Sequence, residues 1–365
     1  MPISAALSEP ASAGADNLLL KCVGLKQGES VLLVLEPEGE TLYEEAPGQI
    51  IEKRINALGA KATVIRPDLI TDPKDFPDSV ASKMERFEHT LFLSRLGDYC
   101  RFETMPGQGS KTLCYARTTE MLDAPFSRTC HQLLSTILKK LEQELMQARR
   151  WRIQCDLGTD IEGTFCWPSH NHGTDDEFSL GLFPVTTFKP VPCNTAQGKV
   201  AISRWLMPGA AAKVQPATVS FDEAVSVDVQ DGMIRSINGP RASVKKVSDY
   251  YDFVSKALEI NRNRVHSWHA GINPLTEFHG NIDDNLEAWG AISFASPRYL
   301  HFHTCGDVPP GEIAWSIFNP TVTIDDEIFW HNGQFSWLLR EDNREILTRF
   351  EGGEILLQNS RDIGV

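Results

Sequence analysis

What the sequence lacks narrows it most. No run approaches the ~20 consecutive apolar residues of a membrane-spanning helix, and the first residues, MPISAALSEPASAGADN, have neither the basic start nor the apolar centre of a signal peptide. They read as a frayed tail covering residues 1–16. Basic charge is scarce: 35 Lys and Arg against 49 Asp and Glu leave a formal charge of −14. That argues against nucleic acid and anionic membrane as partners, because both need a basic face. Eight cysteines stand at 22, 100, 114, 130, 155, 166, 193 and 305, with no C-x-x-C pair and no zinc-module spacing. They are expected to be buried thiols of a reducing cytoplasm, not a disulfide framework. No G-x-G-x-x-G or G-x-x-x-x-G-K-[ST] follows the first apolar run, so a nucleotide cofactor loses its best support. No G-x-S-x-G elbow is present, and serine-hydrolase chemistry loses its own.

What is there describes a globular chain of 365 residues, 41% hydrophobic and 23% charged, long enough for two domains. SVLLVLE is a short β-branched run that suits a buried parallel strand; TLYEEAPGQIIEKRINALGA follows at helical spacing, with Gly59 as C-cap. ATVIRP, HTLFLSRLG and KTLCYAR continue the strand series, with a helix near 77–87 before HTLFLSRLG and another near 118–122 after KTLCYAR. This alternation predicts right-handed crossovers and an open parallel sheet over 17–150. Its carboxyl edge includes SRLGDY, read first as a structural turn and second as a ligand contact at a switch point. Over 126–150, Leu133, Leu134, Ile137, Leu138, Leu141 and Leu145 recur at helical spacing before a basic last turn. The texture then changes. WRIQCDL, KVAISRWL, ATVSFDEAVSVDV, GMIRSI and TVTIDDEIFW alternate and are punctuated by DG, NG and DD, with one helix in VSDYYDFVSKALEIN. The fold class is therefore α/β: an N-terminal open parallel-sheet domain, then an α+β domain over 151–365 with a curled antiparallel sheet.

Six of the ten histidines fall between Val265 and Phe335, a density ordinary loops do not need. His301 and His303 lie two apart in the strand RYLHFHT and share one face. His266 and His269 are odd-spaced, so a straight strand would present only one of them to that face. His170 and His172 sit beside Asp175, Asp176 and Glu177 in a loop that could cover a substrate or simply be solvated. His279 and His331 read as solvent-facing, and His89 and His131 as packing or helix-end residues.

Several motifs together carry a resemblance. KQGESVLLVLE with LGAKATVI, then NTAQGKVAISRWL, HAGINP, DDNLEAWGAISFA and TVTIDDEIFWHNGQF, occur in the order found in aminopeptidase T type metallopeptidases. The 2,5-dihydroxypyridine 5,6-dioxygenases, similar to those peptidases, are implied to share the fold while binding one iron through His, His and Asp. The peptidase metal positions fall here on Lys199, Ser267, Ser293, Glu312 and Ala314. Four of the five offer no ligand, and a lysine adds positive charge where a dication should sit. Two alternatives stay open. In one, a site is rebuilt from His266, His269, His301 and His303 with Asp307 or Glu312 as carboxylate; His303 is the preferred ligand and His266 the second imidazole. In the other, the metal is gone and the imidazoles act as acids, bases or donors. His172, Lys199 and Tyr299 are the candidate catalytic residues.

These readings imply a cytoplasmic enzyme that uses a divalent metal, Fe(II) by preference, and no nucleotide, on a small polar or heteroaromatic molecule. Oxygenase is the leading reaction. An aminopeptidase-like hydrolase and a metal-free enzyme or ligand-binding scaffold are the alternatives. The resemblance also implies a homodimer, with Trp315, Phe318 and Trp330 as exposed aromatics for its interface.

Overall fold

The computed structural model describes residues 10–70, 72–101, 103–167, 180–184, 187–209, 212–307 and 311–365. The N-terminal strands are β1 (Ser30–Leu35), β2 (Lys61–Ile65), β3 (His89–Leu93) and β4 (Ser110–Cys114), all parallel. β5 (Arg150–Gln154) and β6 (Asp160–Thr164) open the second sheet before β7 (Gly181–Phe183) returns to complete the first, in the order β2-β1-β3-β4-β7. β1 and β3 are nearly wholly buried, as parallel strands with both faces covered should be.

The second sheet continues with β8 (Val191–Pro192), β9 (Gln197–Pro208), β10 (Val219–Gln230), β11 (Met233–Asn238), β12 (Val265–Ala270), β13 (Tyr299–Thr304), β14 (Ile313–Phe318), β15 (Thr321–Ile324) and β16 (Glu327–Trp330). Its order is β16-β15-β5-β6-β9-β14-β13-β12-β8, with β10 and β11 branching from β9. Every pairing within it is antiparallel. One face carries Trp151, Trp268, Phe302, Trp315 and Trp330 into the largest core, against the helix His131–Gln147 and the helix Arg241–Leu258.

Four expectations change. A helix spans Pro10–Asp16, and buried Ala15 packs into the N-terminal core, so residues 10–16 are not a frayed tail. The basic end of the 126–150 helix belongs elsewhere: the helix stops at Gln147, and the Arg149 and Arg150 amides donate to the Asp325 carboxylate as β5 begins. Nor is the boundary near Arg150 clean. β7 completes the parallel sheet from beyond it, and Ala288, Ala291, Ile292 and Ala295 lie in the cores that cover that sheet. Finally, Trp315 and Trp330 are fully buried and Phe318 is half-buried, so none of the three is the exposed aromatic expected. All eight cysteines are free thiols, and Cys166 is exposed. No helix of the described residues is long and apolar enough to cross a membrane.

Candidate metal centre

β12 and β13 pair so that His269 lies opposite His301, and Ser267 opposite His303. Side chains alternate along a strand, so these four residues share the face away from Trp268 and Phe302. β14 adds Ser316 opposite His301 and Ala314 opposite His303. Small side chains at 267, 314 and 316 leave this face room for three imidazoles. The rings of His269 and His301 are 4.0 Å apart, those of His301 and His303 4.7 Å, and those of His269 and His303 5.0 Å. All three are buried, and one nitrogen of each lies within 4.8 Å of the others.

The hydrogen bonds around the rings decide what those nitrogens can do. Nδ1 of His269 lies 3.4 Å from the Phe188 carbonyl, which can only accept, so Nδ1 carries the proton and Nε2 keeps its lone pair. That Nε2 faces Nε2 of His301 directly. Nδ1 of His303 lies 3.2 Å from the Ser267 hydroxyl, which is in turn 2.9 Å from Nδ1 of His266. Nδ1 of His301 is buried without a partner among the described residues. Burial lowers all three pKa values, to about 4 for His269 and well below the ordinary range for the other two. Mutual repulsion and nearby Arg101 push the same way for His301 and His303. At neutral pH the three imidazoles are therefore uncharged, the form that binds a metal.

This set fits a divalent ion. Bonds of about 2.0–2.1 Å to one ion hold nitrogens roughly 3–3.5 Å apart, so small side-chain rotations close the cluster. The backbone-carbonyl partner of His269 and the hydroxyl partner of His303 are of the kind that orients ligating histidines, while His301 has none among the described residues. Aromatic rings wall the cluster: Phe294 is 4.8 Å from the His301 ring, Tyr299 stacks on it at 5.4 Å, and Phe188 stands 6.1 Å from His269.

Of the six residues considered as ligands, the structure brings His269, His301 and His303 together. His266 takes no place among them: it falls at the bulge between Val265 and Ser267, out of alternation with Ser267 and His269, and its Nδ1 meets the Ser267 hydroxyl. It is half-buried, its pKa lowered by burial. Asp307 is exposed, within reach of Asn261 and Arg264. Glu312 is held by Lys213 at 2.7 Å. Both carboxylates find cations outside the cluster, and no acidic residue joins it among the described residues. Of the catalytic candidates, Tyr299 borders the cluster and donates to or accepts from Ser316 at 3.1 Å. Lys199 is exposed at the opposite end of β9, paired in register with Asp160 and Asp228. His172, with His170, lies outside the described residues.

Two solved structures share this architecture. The 2,5-dihydroxypyridine dioxygenase from Pseudomonas putida KT2440 matches with a TM-score of 0.62 at 14% identity, over 94% of this chain and 100% of that one. This chain has the same fold. Wild-type AmpT from Thermus thermophilus matches at 0.51 and 12% identity, over 89% and 98%. The likeness to both is one of fold. No protein-family profile and no curated protein sequence matches it. The likeness lies in the path of the backbone, and the chemistry has to be read from the side chains.

A signal missed in the sequence is Arg117, at the end of KTLCYAR. It stands with Arg95, Asp98, Tyr99, Arg101 and Tyr115 around a cleft of about 330 Å³ between the parallel sheet's carboxyl edge and the second sheet. The SRLGDY segment, read first as a turn, forms a short helix, Arg95–Cys100, that lines this cleft.

Proposed function

We propose that this protein is a metal-dependent enzyme acting on a small polar or heteroaromatic molecule, with one divalent ion held by His269, His301 and His303. Fe(II) is the preferred ion and oxygenation the preferred reaction. The observation that carries the reading is the convergence of three uncharged imidazoles on one buried sheet face. Three protein ligands leave coordination positions for substrate, as non-haem oxygenases require. The dioxygenase is also the more similar of the two structures above. When bound, such an ion supplies Lewis-acid and redox chemistry.

The chain's own residues do the rest. Phe188, Phe294 and Tyr299 keep the face dry, so charges developing there are poorly screened. His266, Ser267 and His303 form a hydrogen-bonded chain that can carry a proton between the half-buried His266 and the buried cluster. Burial raises the Tyr299 pKa, so its hydroxyl stays protonated and can serve as a donor.

A second reading has its own observation. With no carboxylate in the ligand set among the described residues, the ion keeps its full positive charge. Three-histidine sites of that kind lower the pKa of a bound water and suit hydrolysis. Elemental analysis of protein purified anaerobically tests the common claim: one equivalent of metal is expected, lost in H269A, H301A and H303A. Oxygen uptake with hydroxypyridines supports the first reading, and amine release from amino-acid anilides without oxygen uptake supports the second. A metal-free preparation with full activity would sink both.

A further inference from the structure

The cleft at the edge of the parallel sheet has an unusual cation in its wall. Arg117 is 5% exposed. Its Nη1 reaches the Glu287 carbonyl only at 3.4 Å, and the Glu287 carboxylate, itself mostly exposed, only at 3.9 Å. Nε has no hydrogen-bond partner among the described residues. The guanidinium also lies over the Tyr43 ring, whose centroid is 5.4 Å from its carbon. A buried guanidinium with donors to spare is costly unless something binds it. The other cations of the cleft are engaged. Arg95 bonds the buried Glu36 at 2.7 Å and Glu40 at 3.0 Å, and Arg101 bonds Asp98 at 2.9 Å and the Tyr115 hydroxyl at 2.5 Å. The remaining walls are largely apolar, including Leu42, Met207, Leu286 and Phe294.

This cleft adjoins the histidine face. Met207, Ala314, His303 and Ser267 form one transverse row across β9, β14, β13 and β12. At about 4.8 Å between strands, Met207 in the cleft wall lies roughly 10 Å from the His303 position. Phe294 lines the cleft and also packs on the His301 ring.

We propose that the cleft binds a small organic carboxylate, with Arg117 pairing with the carboxylate and the apolar body lying against Met207 and Phe294 toward the histidines. A planar monoanion matches the fork of a guanidinium. A dianionic phosphate would meet Asp98 and Glu287 as well, so the charge balance favours the monoanion. As a substrate class this rests on the metal-centre reading; as a binding site it stands without it.

The test is calorimetric titration of the purified protein with benzoate, cinnamate and hexanoate, each beside its neutral amide. The acids should bind, and the amides should bind at least roughly tenfold more weakly. R117Q should lose a similar factor for the acids while leaving the amides unchanged, and R117K, which keeps charge but not the fork, should fall between. A far-UV spectrum and melting curve of each variant establish that it is folded. H303A separates the two claims: acid binding that survives there places the anion on Arg117, and binding lost there with R117Q unaffected places it at the histidines and overturns the proposal. Equal affinity for acid and amide, or no acid binding in the wild type, overturns it too.

Discussion

At the residue scale, three imidazoles occupy the same buried face, and two of them are oriented by different partners. Ser267 holds the distal nitrogen of His303, and the Phe188 carbonyl holds that of His269. Removing such a partner commonly costs ten- to a hundredfold in metal affinity, so S267A should bind metal about that much more weakly while keeping its fold. Competition with a chromogenic chelator measures it; unchanged affinity would mean that Ser267 only fills space. His131, against Phe183, gives a different readout. Burial lowers its pKa to about 4. Between its unfolded value near 6.5 and that folded value, the unfolded chain binds the extra proton, so stability present above pH ~6.5 is lost as the pH falls. Urea unfolding should show H131Q with a shallower acid loss than wild type, by roughly 1–3 kcal/mol at the low end of that window.

At the element scale, strand alternation was enough to put His301 and His303 on one face, and the odd spacing of His266 and His269 was enough to admit only one of them. Which one was not legible, because a bulge near Val265 is set by pairing with β13 and leaves no mark in the sequence. The carboxylates were misleading for a related reason. Asp307 and Glu312 sit close to the histidines in sequence, but Arg264 and Lys213 from other elements claim them. Arg117 carried no motif at all; its meaning comes from a helix 170 residues away meeting the sheet edge. Gly271, at the end of β12, shows how tightly the face is built. A Cβ there would lie 2.2 Å from the Ala295 carbonyl carbon and 2.3 Å from Ser296 backbone atoms. The Trp330 indole also donates to the Gly271 carbonyl at 2.8 Å. G271A must therefore push β12 away from the turn that follows Phe294, and is expected to destabilise the protein by about 3 kcal/mol or more. A melting temperature within a degree or so of wild type would show that the backbone yields there more easily than its packing suggests.

At the scale of the whole molecule, the change from alternating helix and strand to antiparallel hairpins was plain in the sequence, and the two sheets follow it. The domain boundary was less legible because the chain crosses it again: β7 and the helix Leu286–Ser293 come from the second half and complete the first. Residues 1–150 expressed alone lack both, and should show weak chemical-shift dispersion and no cooperative melt; a well-dispersed spectrum would restore the simple division. Shared cores of this kind fix the cleft between the sheets, and with it the distance from Arg117 to the histidine face. The central claim is that His269, His301 and His303 jointly hold a metal. X-ray absorption at the edge of whatever metal copurifies tests it most directly. Three imidazole nitrogens at about 2.0–2.2 Å are expected in the wild type, with that shell disrupted in H301A. A shell without imidazole, or one unchanged in H301A, would contradict it.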